Sequence, residues 1–383
     1  MANSLDLVCF SHLRWGFVFQ RPNHLMSRFA KVGRVFFVEE PVHDDGPVHL
    51  EIEERLPNLW VCTPHINSAT SKELSEGHQR RLVEELVREQ GMEAPILWFY
   101  TPMAIPLAVG LHSSLVVYDC MDELAGFLGA PVDLLDREQR LFSLADVVFA
   151  GGHSLYESKR LQHPSVFLFA SSVDDAHFAL ARRYGQDPAD QAGIGHPRLG
   201  FFGVIDERID LALLETLSKA RPDYHIVMVG PVVKIDEASL PRAANVHYLG
   251  MKQYAELPAY IGGWQVAIMP FALNAATRFI SPTKTLEYLA AGKPIVSTAV
   301  RDVVNPYGHN GVVRIADADG FPAAVDAALK TESAQFQPMA DEVLSRTSWD
   351  RTWAGMYEIM NALGKRRARA AMPQKGNNTC STT

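Results

Sequence analysis

Short apolar runs that alternate with amphipathic helical stretches, in two successive series, restrict this chain to few folds. In the first series, Leu5 to Phe10 predicts a strand, Pro22 to Ala30 a helix and Val35 to Val38 a strand. A charged helical stretch spans Glu73 to Gln90, with Leu82, Val83, Leu86 and Val87 facing inward. Strands at Ile96 to Tyr100 and Leu115 to Tyr118, a helix at Leu134 to Leu144 and a strand at Val147 to Ala150 follow. Between Tyr184 and Pro197 the sequence YGQDPADQAGIGHP is polar and rich in Gly and Pro, which marks a linker. The pattern then restarts: strand Leu199 to Phe202, helix Leu211 to Ala220, strand His225 to Val229, strand Val246 to Leu249, helix Tyr254 to Ile261 and strand Val266 to Met269. Apolar strands separated by helices build parallel sheets covered on both faces, so the expected class is α/β. The expected divisions are a first unit over 1–180, a second over 198–346, a closing helix over 347–364 and a basic, disordered tail over 365–383. Ligands of such sheets lie outside the carboxyl ends of the strands, so two facing units would enclose a cleft.

The length of 383 residues suits two domains, and 47% hydrophobic with 21% charged residues suits a soluble globular enzyme. A net charge of −8 argues against general nucleic-acid binding. Cys9, Cys62, Cys120 and Cys380 show no CxxC spacing, which points to reduced thiols and a cytoplasmic location. The run LVCF is too short for a signal peptide, and no apolar stretch is long enough to cross a bilayer. Lys365 to Arg369, KRRAR, reads most simply as a solvated helix end, favourably placed against the helix dipole. It could also give weak peripheral contact with anionic lipid at the inner face of the membrane.

The segment RFISPTKTLEYLAAGKPIVST, Arg278 to Thr298, carries the most chemistry. Ser281 stands where an N-cap belongs and Pro282 at the first helical position; Leu286, Leu289 and Ala290 form an apolar stripe, and Gly292 ends the turn. Lys284 falls in the first turn, and Glu287 shares a face with Lys284 and Thr283. A cation and free N–H groups at a helix tip, with a carboxylate one turn deeper, suit a diphosphate joined to a ribose. A capped surface helix with a local Lys–Glu pair fits the same residues equally well.

Elsewhere, LGFFGVIDERID ends a strand on Gly203, which lets a phosphate approach the backbone, and Arg208 could grip it bidentately. The alternative is a tight turn capped by Asp206. After the first strand, SHLRWGFVFQRPNHL gathers His12, Arg14, Trp15, Arg21 and His24 around Gly16, either as a functional loop or as a packed one in which Arg21 holds a carboxylate. VVYDCMDELAGF places Asp119, Asp122 and Glu123 after another strand, as groups for sugar hydroxyls or a catalytic base, with an N-cap as the plainer role of Asp122. No spacing resembles a metal motif, although His12 with His24 or Asp119 with Asp122 could supply ligands. GxSxG and the Walker pattern are absent, and adjacent His153 and Ser154 do not make a triad.

Together these landmarks resemble nucleotide-sugar glycosyltransferases of the GT-B fold. FLFASSVDDAHF resembles that family's "NGVD…F" crossover with Ser171 and Ser172 replacing Asn-Gly, and Phe202 to Arg208 resembles its "GRxxxxK" loop. WQVAIMPF resembles "DvxvxPS", LEYLAAGKPIVST the end of the donor-binding EX7E motif, and SWDRTWAGMYEIM the helix that crosses back to the first domain. SHLRWGFVFQRPNHL and SPTKTLEYLAAGKP look most like a bacterial subgroup linked with teichuronic acid and cell-surface polysaccharide synthesis. The first Glu of EX7E is replaced by Phe279, which leaves Asn274, Thr277 or Arg278 to take its contact, and Val204 stands where the family often has Arg.

The resemblance implies two Rossmann-like domains and transfer of a sugar, with retention, from a nucleotide-diphosphate donor, UDP-sugar favoured, to a glycan or lipid-linked acceptor. It assigns Arg208, Lys284 and Asp122 to catalysis, and Gly203, Ser281, Thr283, Lys284, Glu287 and Arg278 to the donor. His12, Arg14, Trp15, Gly16 and Arg21 would face the acceptor. No metal and no cofactor is expected, the nucleotide sugar being a substrate. A nucleotide-sugar epimerase using Asp122 and His153, or a silent sugar-nucleotide-binding protein, are the alternatives.

Overall fold

The computed structural model describes residues 5–371. Its first sheet comprises β1 (Leu5–Phe10), β2 (Gly33–Val38), β3 (Val42–Asp44), β4 (His49–Leu56), β5 (Leu59–Asn67), β6 (Ile96–Phe99), β7 (Leu115–Cys120), β8 (Val147–Ala150) and β9 (Val166–Leu168). They lie in the order β3-β5-β2-β1-β6-β7-β8-β9, all parallel except β4, which pairs antiparallel with β5. The second sheet has β10 (Arg198–Phe202), β11 (His225–Val229), β12 (Val246–Tyr248), β13 (Val266–Met269), β14 (Ile295–Ser297) and β15 (Val313–Ile315), in the wholly parallel order β12-β11-β10-β13-β14-β15. Both orders reverse beside the first strand of their sheet, at β1/β6 and at β10/β13, which is where open α/β sheets bind ligands.

The central strands are apolar because helices cover both faces. No alternation of polar and apolar residues occurs there: residues 7–10 and 147–150 are buried without interruption. The β4–β5 hairpin goes unpredicted from sequence. Nearly all of β4 is exposed and it holds no apolar run, only Leu50 and Ile52 alternating with polar neighbours, and Pro64 interrupts β5. In the second sheet Gly200 makes room for the buried Trp264, whose ring atoms occupy the place where a Cβ would stand. Gly200→Ala should therefore cost about 3 kcal/mol of stability through overpacking, read as a lowered denaturation midpoint.

The segment 184–197 is more firmly held than a linker composition suggests. Gln191 is fully buried, accepts from the Trp264 indole at 2.9 Å and donates to the Tyr260 carbonyl at 3.0 Å. Arg198 is also buried and pairs with Asp187 at 2.8 Å. These side-chain bonds fasten the polar segment to the second sheet's core, an outcome that local composition cannot encode.

The closing helix, Trp349–Ala371, crosses back to the first domain. Trp349 stacks on His24 with centroids 4.6 Å apart, and Met356 and Met360 enter the first domain's core. The helix runs past Gly364, so the basic residues from Lys365 continue it as a solvated helix end, and the expected disordered tail does not begin at 365. Arg367 holds this end in place, donating to Asp146 at 2.7 Å and to the Ser114 carbonyl at 3.1 Å. Residues 372–383 lie outside the described residues. Among the described residues no helix is long and apolar enough to cross a membrane.

Candidate active site

Between the carboxyl ends of the two sheets lies a cavity of about 790 Å³. The second domain lines it with Gly203, Asp206, Arg208, Gly230, Lys234, Thr283, Lys284 and Glu287, and the first with His12, Trp15, Gly16, Glu40, Asp122 and Phe127.

Its floor is set by two glycines. After β10, Gly203 has φ +138°, and a Cβ there would collide with Lys284 Cε. The lysine's aliphatic stem thus occupies the space that sequence reasoning assigns to a phosphate. After β11, Gly230 has φ +148°, and a Cβ there would collide with the Gly203 carbonyl oxygen. Sequence reasoning overlooks Gly230, although it ends its strand in the same way as Gly203 and that parallel is visible in the residues.

The helix bearing the donor motif spans Lys284–Ala290 and begins two residues later than expected. Thr283 holds the N-cap position and its side chain makes no cap bond. Pro282 instead starts a tight turn, its carbonyl accepting from Thr285 N–H at 3.2 Å. Ser281 is therefore not the N-cap and does not line the cavity; it packs against Gly152 of the first domain. The Tyr288 hydroxyl accepts from Phe202 N–H at 3.0 Å and ties this helix to β10.

Lys284 lies 5.5 Å from the Phe202 ring centroid and 5.9 Å from that of Phe201, and no carboxylate pairs with it among the described residues. Recession into the cleft lowers its pKa below the ordinary lysine range and Arg208 adds to this, while Glu287 opposes it. Glu287 is raised to about 7, first by recession, with Lys284 and Thr283 pulling it down. Its Oε2 is buried without a hydrogen-bond partner. A surface Lys–Glu pair is thus not what these residues form. Both line the cavity: among the described residues the Lys284 ammonium has no ion pair and Glu287 Oε2 no hydrogen-bond partner.

Arg208 is bidentate to Asp206, with Nη2 to Oδ2 at 2.7 Å and Nε to Oδ1 at 2.9 Å, and lies over the Phe127 ring at 5.4 Å. Asp122 is raised to about 6, first by recession, with Arg208 and Arg21 lowering it and Asp206 raising it. Lys234 takes a left-handed φ of +63° and places its ammonium 5.5 Å from the centroid of the same Phe127 ring. Neither Phe127 nor Lys234 carries a local sequence signal; each is brought in by the packing of one domain against the other.

Four of the sequence-derived site residues do not meet the cavity, Ser281 among them. Arg278 is exposed and stacks over Phe279 at 5.1 Å, while Phe279 packs onto the first domain's core and so cannot supply the contact of a carboxylate. Arg14 pairs with Glu39 at 3.2 Å and donates to the Pro41 carbonyl. Arg21 is buried and clamps Asp119 with three bonds of 2.8 to 3.1 Å, donating also to the Phe169 carbonyl at 2.7 Å. This pair is structural: Arg21 cannot face an acceptor, and Asp119 has no free capacity as a base. Arg21→Met should cost about 3 to 5 kcal/mol by stranding Asp119, with much of it restored in Arg21→Met/Asp119→Asn, read by chemical denaturation.

His12 lines the cavity with an unpartnered Nδ1, and recession lowers its pKa to about 4 with Lys234 assisting. His24 is taken up by its stack on Trp349, and exposed His153 does not line the cavity, so an Asp122–His153 acid–base pair is not assembled.

Residues 196–331 match the family Glycosyl transferases group 1. The chain is 28% identical to TuaH of Bacillus subtilis (strain 168), named as a teichuronic acid biosynthesis glycosyltransferase, over 64% of this chain and 73% of that relative. Sucrose-phosphate synthase from Thermosynechococcus elongatus superposes with a TM-score of 0.70 at 15% identity, covering 96% of this chain and 100% of that one. Anabaena HepE in complex with UDP and glucose gives 0.67 at 12% identity, covering 93% and 99%. The two parallel sheets facing across a cleft and the returning helix give this chain the GT-B fold, and its second domain carries the match to Glycosyl transferases group 1.

Proposed function

We propose that the chain transfers a sugar from a nucleotide-diphosphate donor, UDP-sugar favoured, to a hydroxyl of a glycan or lipid-linked acceptor in cell-surface polysaccharide synthesis. The observation that carries this reading is Lys284, without an ion pair among the described residues, beside Glu287, whose Oε2 has no hydrogen-bond partner, at the ligand-binding end of the second sheet. Glu287 would accept from the two ribose hydroxyls, while Lys284, Arg208 and the amides of the Thr283 turn would face the diphosphate. In the reaction the bond between the anomeric carbon and the diphosphate oxygen breaks, and charge grows on that oxygen. Fixed cations in a recessed cleft stabilise it without reorganising. The acceptor oxygen bonds to the anomeric carbon and gives up its proton, to the departing diphosphate in a retaining reaction or to Asp122. The likeness to TuaH supports the polysaccharide acceptor class, and retention rests on the fold resemblance.

With a pKa of about 6, Asp122 is mostly ionised at pH 7 and able to take a proton. At saturating donor, which takes Glu287 out of the profile, kcat/KM for the acceptor should rise with pH through about 6 and level off, and Asp122→Asn should remove that limb. The donor class is tested by thermal shift with UDP-, GDP- and dTDP-sugars, since a ligand that binds only the native state raises its melting temperature. Product analysis with and without acceptor follows; stabilisation by none of these donors would overturn the reading.

A further inference from the structure

A second cavity of about 380 Å³ opens beside the cleft, wholly within the first domain. It lies at the carboxyl ends of β1, β2 and β6, the point where this sheet's strand order reverses, and the helix Lys72–Glu89 closes its far side. It shares Glu40, Thr101 and Met103 with the main cleft, so the two spaces adjoin. Its wall joins apolar carbon from Phe10, Val38, Ala104 and Leu107 to the polar groups of Thr101, Ser75 and Gln79.

Existing hydrogen bonds show which of these groups remain available. Glu39 is engaged by Arg14 and the Trp15 amide, and Glu76 by Arg137 at 2.7 Å. Gln79 donates to Ser75 through Nε2, but its carboxamide oxygen accepts from nothing among the described residues. Thr101 accepts from Met103 N–H and still has a hydroxyl proton to give. Glu40, at the shared mouth, has no ion pair among the described residues. Apolar carbon on one wall with hydroxyl and amide groups on the other is what a sugar ring presents in complement. With Glu39 and Glu76 paired to Arg14 and Arg137, the lining keeps Glu40 against Lys72, so it carries no net charge to draw in a uronic acid or a phosphate.

We propose that this cavity is a subsite for the second sugar of the acceptor, and that this sugar is neutral. The proposal rests on the glycosyltransferase reading of the adjoining cleft. The acceptor's terminal sugar then lies in the cleft with its reacting hydroxyl toward the donor, and the preceding ring rests on Leu107 and Ala104 with its hydroxyls on Gln79, Thr101 and Glu40.

The test is calorimetric titration of the full chain, with UDP present, using glucose, galactose and N-acetylglucosamine against cellobiose, lactose, maltose, N,N′-diacetylchitobiose and a glucuronic acid-containing disaccharide. At least one neutral disaccharide should bind about ten-fold or more tightly than its monosaccharide, the gain expected of a few added hydrogen bonds. Gln79→Leu and the cavity-filling Ala104→Trp should each erase that gain while leaving monosaccharide and UDP binding unchanged. Gln79→Leu keeps the test valid should the larger substitution disturb folding. Equal binding of every disaccharide and its monosaccharide, a gain confined to the uronic acid, or a gain that survives both substitutions would overturn the proposal. Absence of UDP binding would instead strike at the donor reading itself.

Discussion

Lys284→Ala should lower turnover about 10²- to 10³-fold, the loss seen when one fixed group aimed at developing charge is removed. The melting temperature should stay at or above that of the unaltered chain. Lys284 has no ion-pair partner among the described residues, and recession already disfavours its charge. Removing an unpaired, poorly solvated cation therefore relieves the folded state. Lys284→Met refines the test, because it keeps the aliphatic stem against Gly203 and the Phe201 and Phe202 rings and deletes only the ammonium. Steady-state kinetics with the donor found by thermal shift, beside a denaturation curve, separates the outcomes. Near-normal turnover in both variants would remove Lys284 from the chemistry.

Glu287→Gln should weaken UDP-glucose binding by about 10-fold or more, as expected when hydrogen bonds to a charged group are lost. It should also abolish a pH dependence. With its pKa at about 7, Glu287 is half protonated near neutrality in the free chain. Ribose hydroxyls favour the carboxylate, so affinity should climb by about ten-fold between roughly pH 6 and pH 8 and stay flat in the variant. UDP-glucose suits this titration because its diphosphate diester has no proton to lose in that range. Stability moves the other way. The folded-state pKa is raised above the unfolded value near 4.5, so the native chain is favoured below that value and loses ground as pH rises through 7. Glu287→Gln should therefore melt above the unaltered chain at about pH 8, and the difference should vanish near pH 4. A flat binding profile in the unaltered chain would exclude the ribose role.

Much of the frame was legible because its cause is local. Val147–Ala150, His225–Val229 and Val266–Met269 are read directly from apolar runs, since strands covered on both faces need no polar residue. The helices Leu134–Leu144 and Leu211–Ala220 follow from helical periodicity. Lys284 and Glu287 could be paired on one face from their spacing alone. Ser281 misleads because a helix start and a proline-led turn share the same residues, and only the backbone path distinguishes them. That Arg21 holds a carboxylate is one of two readings of its loop, but Asp119 lies 98 positions away, so the sequence does not identify the partner until the sheet brings them together.

What the amino-acid order determined alone is the succession of strands and helices, the break between two series, and the helix that carries cation and carboxylate together. Each depends on periodicity or propensity within a few residues. The tertiary structure alone decided which charges are paired and which are left for a ligand: it buried Arg21 on Asp119, turned Arg278 outward, and brought Phe127 and Lys234 together across the cleft. Charge is neutralised, or left exposed to a ligand, by neighbours in space, and those neighbours come from distant parts of the chain.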